Sequence, residues 1–91
     1  MKYPKALPAI AQETRYQIVR LLHKHGKMMV SALKKRTSTE STLLSHHLSA
    51  LKSADIIQSK RMGKQVQYRL CPGVKSGKGI KANGFKLILE G

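Results

Sequence analysis

The chain has 91 residues, 18 of them Lys or Arg and four Asp or Glu, for a formal net charge of +14. One cysteine excludes an intrachain disulfide framework and a multi-cysteine metal site, and no apolar run reaches the ~18–20 residues of a membrane-crossing helix. The hydrophobic fraction of 41% is enough to fold, so the charge points to a polyanionic partner rather than to disorder. The lack of Trp, with a single Phe, argues against single-strand binding by base stacking.

At the N-terminus, Leu7, Ile10, Ala11 and Thr14, followed by Ile18, Leu21 and Leu22, recur at three- and four-residue spacing, the period of an amphipathic helix. Pro4 and Pro8 restrict where a first helix begins; a start near Lys5 puts Pro8 in the first turn, where its missing N–H costs little. A second helix is expected over about residues 13–25, stopped by Gly26, with His23, Lys24 and His25 favouring the dipole in its last turn. A third, short helix fits residues 30–36 with Val30 and Leu33 inward. Thr37-Ser38-Thr39 then makes a polar break with capping oxygens.

The fourth helix is expected over about residues 40–53. Leu44, Leu48 and Leu51 form one buried stripe, and His47 is read as a packed, satisfied residue on the core side. The other face carries Ser41, Thr42, Ser45, His46, Ser49 and Lys52, with Leu43 beside them. Asp55 follows, a residue that tolerates the left-handed conformation ending many helices. The period then changes to strands over residues 57–61 and 65–70, where Val66, Tyr68 and Leu70 alternate with Gln65, Gln67 and Arg69. Met62-Gly63-Lys64 makes the turn of a hairpin whose tip, Lys60-Arg61-Met62-Gly63-Lys64, is basic. Five of the seven glycines lie in residues 71–91, which read as a Gly/Lys-rich flexible tail with a short strand at 85–89. The domain division expected is therefore 1–70 and 71–91. Basic residues are not segregated, with nine in residues 1–45 and nine in 46–91.

Two helices joined by a short polar turn, the second with small polar groups outward, then a basic hairpin, make an α+β winged helix-turn-helix pattern. The B-DNA major groove admits one helix, and short side chains let it approach base edges. Ser41, Thr42, Ser45 and His46 are candidate base-edge contacts, Leu43 a contact for a thymine methyl, and Ser49 and Lys52 complete the face. Lys60, Arg61 and Lys64 are candidates for phosphate contact from the hairpin. Lys35 and Arg36, like Lys34 and Arg15, are backbone candidates that read equally as solvated charges.

The segment Ala11-Gln-Glu-Thr-Arg-Tyr-Gln-Ile-Val-Arg-Leu-Leu22 resembles the opening helix of the ArsR/SmtB-type repressors. Ser41-Thr-Leu-Leu-Ser-His-His-Leu48 with Leu51-Lys-Ser-Ala-Asp-Ile-Ile57 resembles their recognition helix and its exit, and Gly63-Lys-Gln-Val-Gln-Tyr-Arg-Leu70 their wing. The resemblance covers about residues 5–70. It implies a bacterial, cytoplasmic, homodimeric transcriptional repressor acting on double-stranded DNA; many family members release DNA on binding a metal. The Cys-x-Cys pair of metal-sensing members is replaced here by Met29 and Ser31, and residues 71–91 offer no His and one acid, Glu90. The family's usual Leu near Thr39 and Gly near Asp55 are also missing. Because the family dimerises through its first and last helices, and a Gly-rich last segment makes a poor helix, the dimer is expected to rely on residues 3–12, helped by 85–89.

Other chemistry finds little support. Glu13, Glu40, Asp55 and Glu90 are scattered singly, so no local carboxylate pair suggests acid–base catalysis. His23 and His25 point to different sides of a helix, and His46 and His47 are adjacent, whereas zinc wants convergent ligands. No cofactor is expected. Gly73-Val-Lys-Ser-Gly-Lys-Gly79 lacks the glycine spacing and the Ser or Thr of a phosphate-binding loop. Cys71 reads as an inert buried residue rather than a redox switch, a disulfide across a dimer being the alternative. The rival functions are an architectural, nucleoid-type DNA binder, which the +14 charge favours, and a winged helix module that binds protein.

Overall fold

The computed structural model describes residue 9, residues 12–82 and residues 85–89. The expected first helix, and the dimer segment over 3–12, therefore fall almost wholly outside the described residues.

Helix α1 is Glu13–His25. Gln12 caps it, Oε1 accepting from the Arg15 N–H at 3.0 Å, and Gly26 closes it by donating its N–H to the Leu22 carbonyl. Ile18, Val19 and Leu22 are fully buried, and Leu21 packs at the margin of the core. A short strand, β1 (Lys27–Met29), leads directly into α2 (Val30–Thr37), which buries Leu33. Ser38, at φ 51°, ends α2 in the left-handed region and the chain turns into α3, Ser41–Ser53. Glu40, expected as the first helical residue, is instead the N-cap: its backbone is extended, and its carboxylate accepts from the N–H groups of Thr42 (2.7 Å) and Leu43 (3.2 Å). Asp55 takes φ 60° as anticipated, and the Ile56 N–H then reaches the Leu51 carbonyl.

Strands β2 (Ile57–Met62) and β3 (Gln65–Leu70) pair antiparallel from Ile57↔Leu70 to Met62↔Gln65. The turn is the two residues Gly63-Lys64, with Gly63 at φ 64° supplying the conformation that tight hairpins require. β1 pairs with the other edge of β3, so the sheet order is β1-β3-β2. The sequence gives no sign of β1, because three residues are too few for an alternation to register. The observed architecture is that of a winged helix-turn-helix domain, as expected.

The expected flexible tail needs correction. A second antiparallel sheet is made of β4 (Lys75–Ser76), β5 (Gly79–Ala82) and β6 (Phe85–Ile88). Val74, Ile80 and Leu89 are buried in the same core as the helices. High glycine content suggests flexibility, but here the glycines have positional uses. Gly73 and Gly77 sit at turns, and a Cβ on Gly79 would collide with the Leu87 carbonyl oxygen and lie 2.9 Å from the Ile88 Cα. Gly79 is thus the close approach that lets β5 lie against β6. No helix of the described residues is long and apolar enough to cross a membrane.

Candidate nucleic-acid interface

Helix α3 divides sharply. Leu44, His47, Leu48 and Leu51 are buried, at i, i+3, i+4 and i+7. Ser41, Thr42, Leu43, Ser45, His46, Ser49 and Lys52 are all exposed. Leu43, at 49% exposure, is the large apolar group on this outer face. The helix itself contributes no carboxylate. Glu40 sits at its start, and its two accepted hydrogen bonds hold the carboxyl below the usual range, Thr42 contributing most, then Leu43, with Lys34 a smaller influence. The positive end of the α3 dipole is therefore already occupied by an anion, and phosphate contact falls to side-chain cations.

His47 is the buried polar residue of this helix, 6% exposed. Its Nδ1 accepts from the Arg15 Nε at 3.0 Å, which requires a ring with no proton on Nδ1. Burial lowers the His47 pKa, with the Arg15 charge adding to this and His46 contributing less. His47 is thereby packed and satisfied, as expected. Arg15 is its donor on α1, a structural role outside the two expected for it, backbone contact and solvation.

The hairpin is half-buried at its root, where Gln58, Ser59 and Tyr68 lie, and exposed from Lys60 through Gln65. Lys60, Arg61 and Lys64 therefore project from the body around Met62, which is 40% exposed at the tip. The Ser31 hydroxyl donates to Gln65 Oε1 at 2.8 Å, tying the start of α2 to the wing. Lys35 and Arg36 are both exposed in the last turn of α2, but Arg36 also lines a cleft of ≈ 780 Å³ between α1 and the C-terminal sheet. That cleft gathers Arg20, Lys24, Lys75 and Lys78 as well. No sequence signal marks these four as a group, because they come from segments some 50 residues apart.

Among the described residues no group of three or more His, Cys, Asp or Glu could hold a metal. His23 Nε2 is instead within 2.8 Å of the Gly77 carbonyl oxygen. Cys71 is free and half-buried; burial, and then Asp55, push its thiol up, which disfavours the reactive thiolate.

Residues 10–59 match the family model of a helix-turn-helix domain. The chain belongs to that helix-turn-helix family. It is 31% identical over 71 residues to the arsenic resistance transcriptional regulator ArsR1 of Pseudomonas putida, an alignment spanning 78% of this chain and 56% of the relative. The chain thus spans little more than half the length of this curated relative. Among solved structures it is similar to HlyU from Vibrio cholerae (28% identity, 74% of this chain and 72% of that one, TM-score 0.70). It is also similar to the homodimeric winged helix-turn-helix DNA-binding domain of Mb0332 from Mycobacterium bovis (33% identity, 72% and 60% coverage, TM-score 0.68). These relatives bear out the resemblance to ArsR-type regulators read in the sequence.

Proposed function

We propose that this helix-turn-helix protein binds duplex DNA sequence-specifically as a homodimer and represses transcription in the bacterial cytoplasm, on nucleoid DNA. The observation that carries the reading is the outer face of α3: small hydroxyls, an imidazole and one Leu, with no acid of its own, on the same body as a projecting basic hairpin. In this reading α3 enters the major groove. Ser41, Thr42, Ser45 and His46 meet base edges, Leu43 meets a thymine methyl, and Ser49 and Lys52 extend the contact along the groove. Lys60, Arg61 and Lys64 bind flanking phosphates, and Lys35 adds a backbone contact. Arg36 is assigned to the cleft instead. A two-fold dimer implies a roughly palindromic site with half-sites about one helical turn apart. The reading assigns no catalysis and no cofactor; the names of ArsR1 and of the homodimeric DNA-binding domain support it.

The +14 charge also favours purely electrostatic, architectural binding. Selection from random duplex DNA at about 150–200 mM salt with excess competitor separates the two, because phosphate neutralisation alone weakens steeply with salt. Enrichment of a two-fold symmetric motif is the expected result. Retention without enrichment would move the protein to the architectural class, and no retention would leave a protein-interaction module.

A further inference from the structure

The cleft between α1 and the C-terminal sheet has no part in the DNA reading. Its volume, ≈ 780 Å³, lies within the ~300–1,000 Å³ of small-molecule sites. No residue of α3 or of the wing lines it. Arg20 and Lys24 stand one turn apart on α1, Arg36 comes from the end of α2, Lys75 opens β4 and Lys78 lies in the turn between β4 and β5. Among the described residues that line the cleft, five of ten are Lys or Arg, drawn from three segments of the chain.

Among the described residues no Asp or Glu lines the cleft. Cations gathered from three segments repel one another and focus a positive potential into the concavity. The repulsion is held in place by structure. His23 on α1 meets the Gly77 carbonyl at 2.8 Å, pinning the β4–β5 turn to the helix. Leu21 and the buried Leu89 give the cleft an apolar part among the charges. Several cations around an apolar surface match a ligand that carries several anionic groups on a compact apolar or aromatic body.

We propose that this cleft binds a small organic polyanion of nucleotide size, with two or more phosphate groups on an aromatic or apolar body. The site stands apart from the DNA-reading face, so it holds or fails independently of that assignment.

The test is titration of the isotopically labelled protein with inorganic pyrophosphate and, separately, with ADP, at about 150 mM chloride to screen loose counterions. Backbone amide resonances report the site. ADP is expected to give saturable shifts at Gln17, Leu21, Lys24 and residues 75–78, and to bind at least about tenfold more tightly than pyrophosphate. The double variant Lys24→Glu/Lys78→Glu, at two exposed positions, should lose at least about tenfold in ADP affinity. Its neutral counterpart Lys24→Gln/Lys78→Gln should lose affinity in smaller measure with folding undisturbed. Four results would overturn the proposal. They are shifts that never saturate or spread over α3 and the wing, pyrophosphate binding as tightly as ADP, a duplex oligonucleotide shifting the same amides, and unchanged ADP affinity in both double variants.

Discussion

Replacing Arg15 by Met tests the link between α1 and α3. Met keeps an unbranched apolar stem and removes both the charge and the Nε–H that reaches His47 at 3.0 Å. A hydrogen bond with one charged partner contributes about 1.5–3 kcal/mol, and a buried acceptor left without a partner costs a similar amount. The variant should therefore lose about 1.5–3 kcal/mol at pH 8, which for a domain of this size lowers the melting temperature by about 6–24 °C. The pH dependence adds a second signature. The folded-state pKa of His47 is lowered, by burial first and by Arg15 next. The unfolded chain thus takes up a proton that the folded chain resists. His47's contribution to stability is fully present above its unfolded pKa of about 6.5 and declines as pH falls below it, by at most about 1.4 kcal/mol per pH unit. Without Arg15 the lowering is smaller, so the variant should decline less steeply. The gap between the two proteins should narrow from pH 8 to pH 5. Urea denaturation of both proteins across this range gives the numbers. A loss below about 0.5 kcal/mol at pH 8 would be too small for a part-buried hydrogen bond with a charged donor, and a gap independent of pH would sever His47 from Arg15 energetically.

Other outcomes follow from the same geometry. Leu51→Ala, at a fully buried position of α3, should cost about 2–5 kcal/mol, seen as a lower urea midpoint with an unchanged m-value. Gly79→Ala should force β5 from β6, abolishing hydrogen-exchange protection in the C-terminal sheet while the β2–β3 hairpin keeps its own; equal protection in both would contradict the close approach. Lys64→Ala should weaken binding to all duplexes alike and reduce the salt slope by about one, so an unchanged slope would remove Lys64 from the phosphate contacts.

Much of the fold was legible because the signals are local. The 13–25 helix has both its periodicity and its glycine stop, the hairpin has clean alternation around Gly63, and Asp55 sits where a left-handed residue is needed. His47 could be placed on the core side because it falls on the leucine stripe. Its partner could not be found, since Arg15 lies 32 residues away and only packing brings them together. β1 escaped for lack of length, its strand character being imposed by the free edge of β3. The C-terminal sheet escaped because glycine reads as freedom when taken alone, whereas here Val74, Ile80 and Leu89 anchor the segment between the turns. The cleft shares the fate of Arg15: its cations are neighbours in space only.

The three residues of β1 have one more effect. β3 is at once the inner rail of the wing and, through Met28↔Tyr68 and Met29↔Gln67, the strand to which the entrance of α2 is fastened. Ser31 and Gln65 bolt the same junction from the side chains. The hairpin is therefore not a loose arm beside the helix pair, because both are fastened to one hydrogen-bonded frame. For a DNA-reading protein such a frame works as a ruler. The stretch between the bases met by the helix and the phosphates met by the hairpin would have a set length. Inserting a single base pair within that stretch should then be punished more heavily than altering the pair at either end.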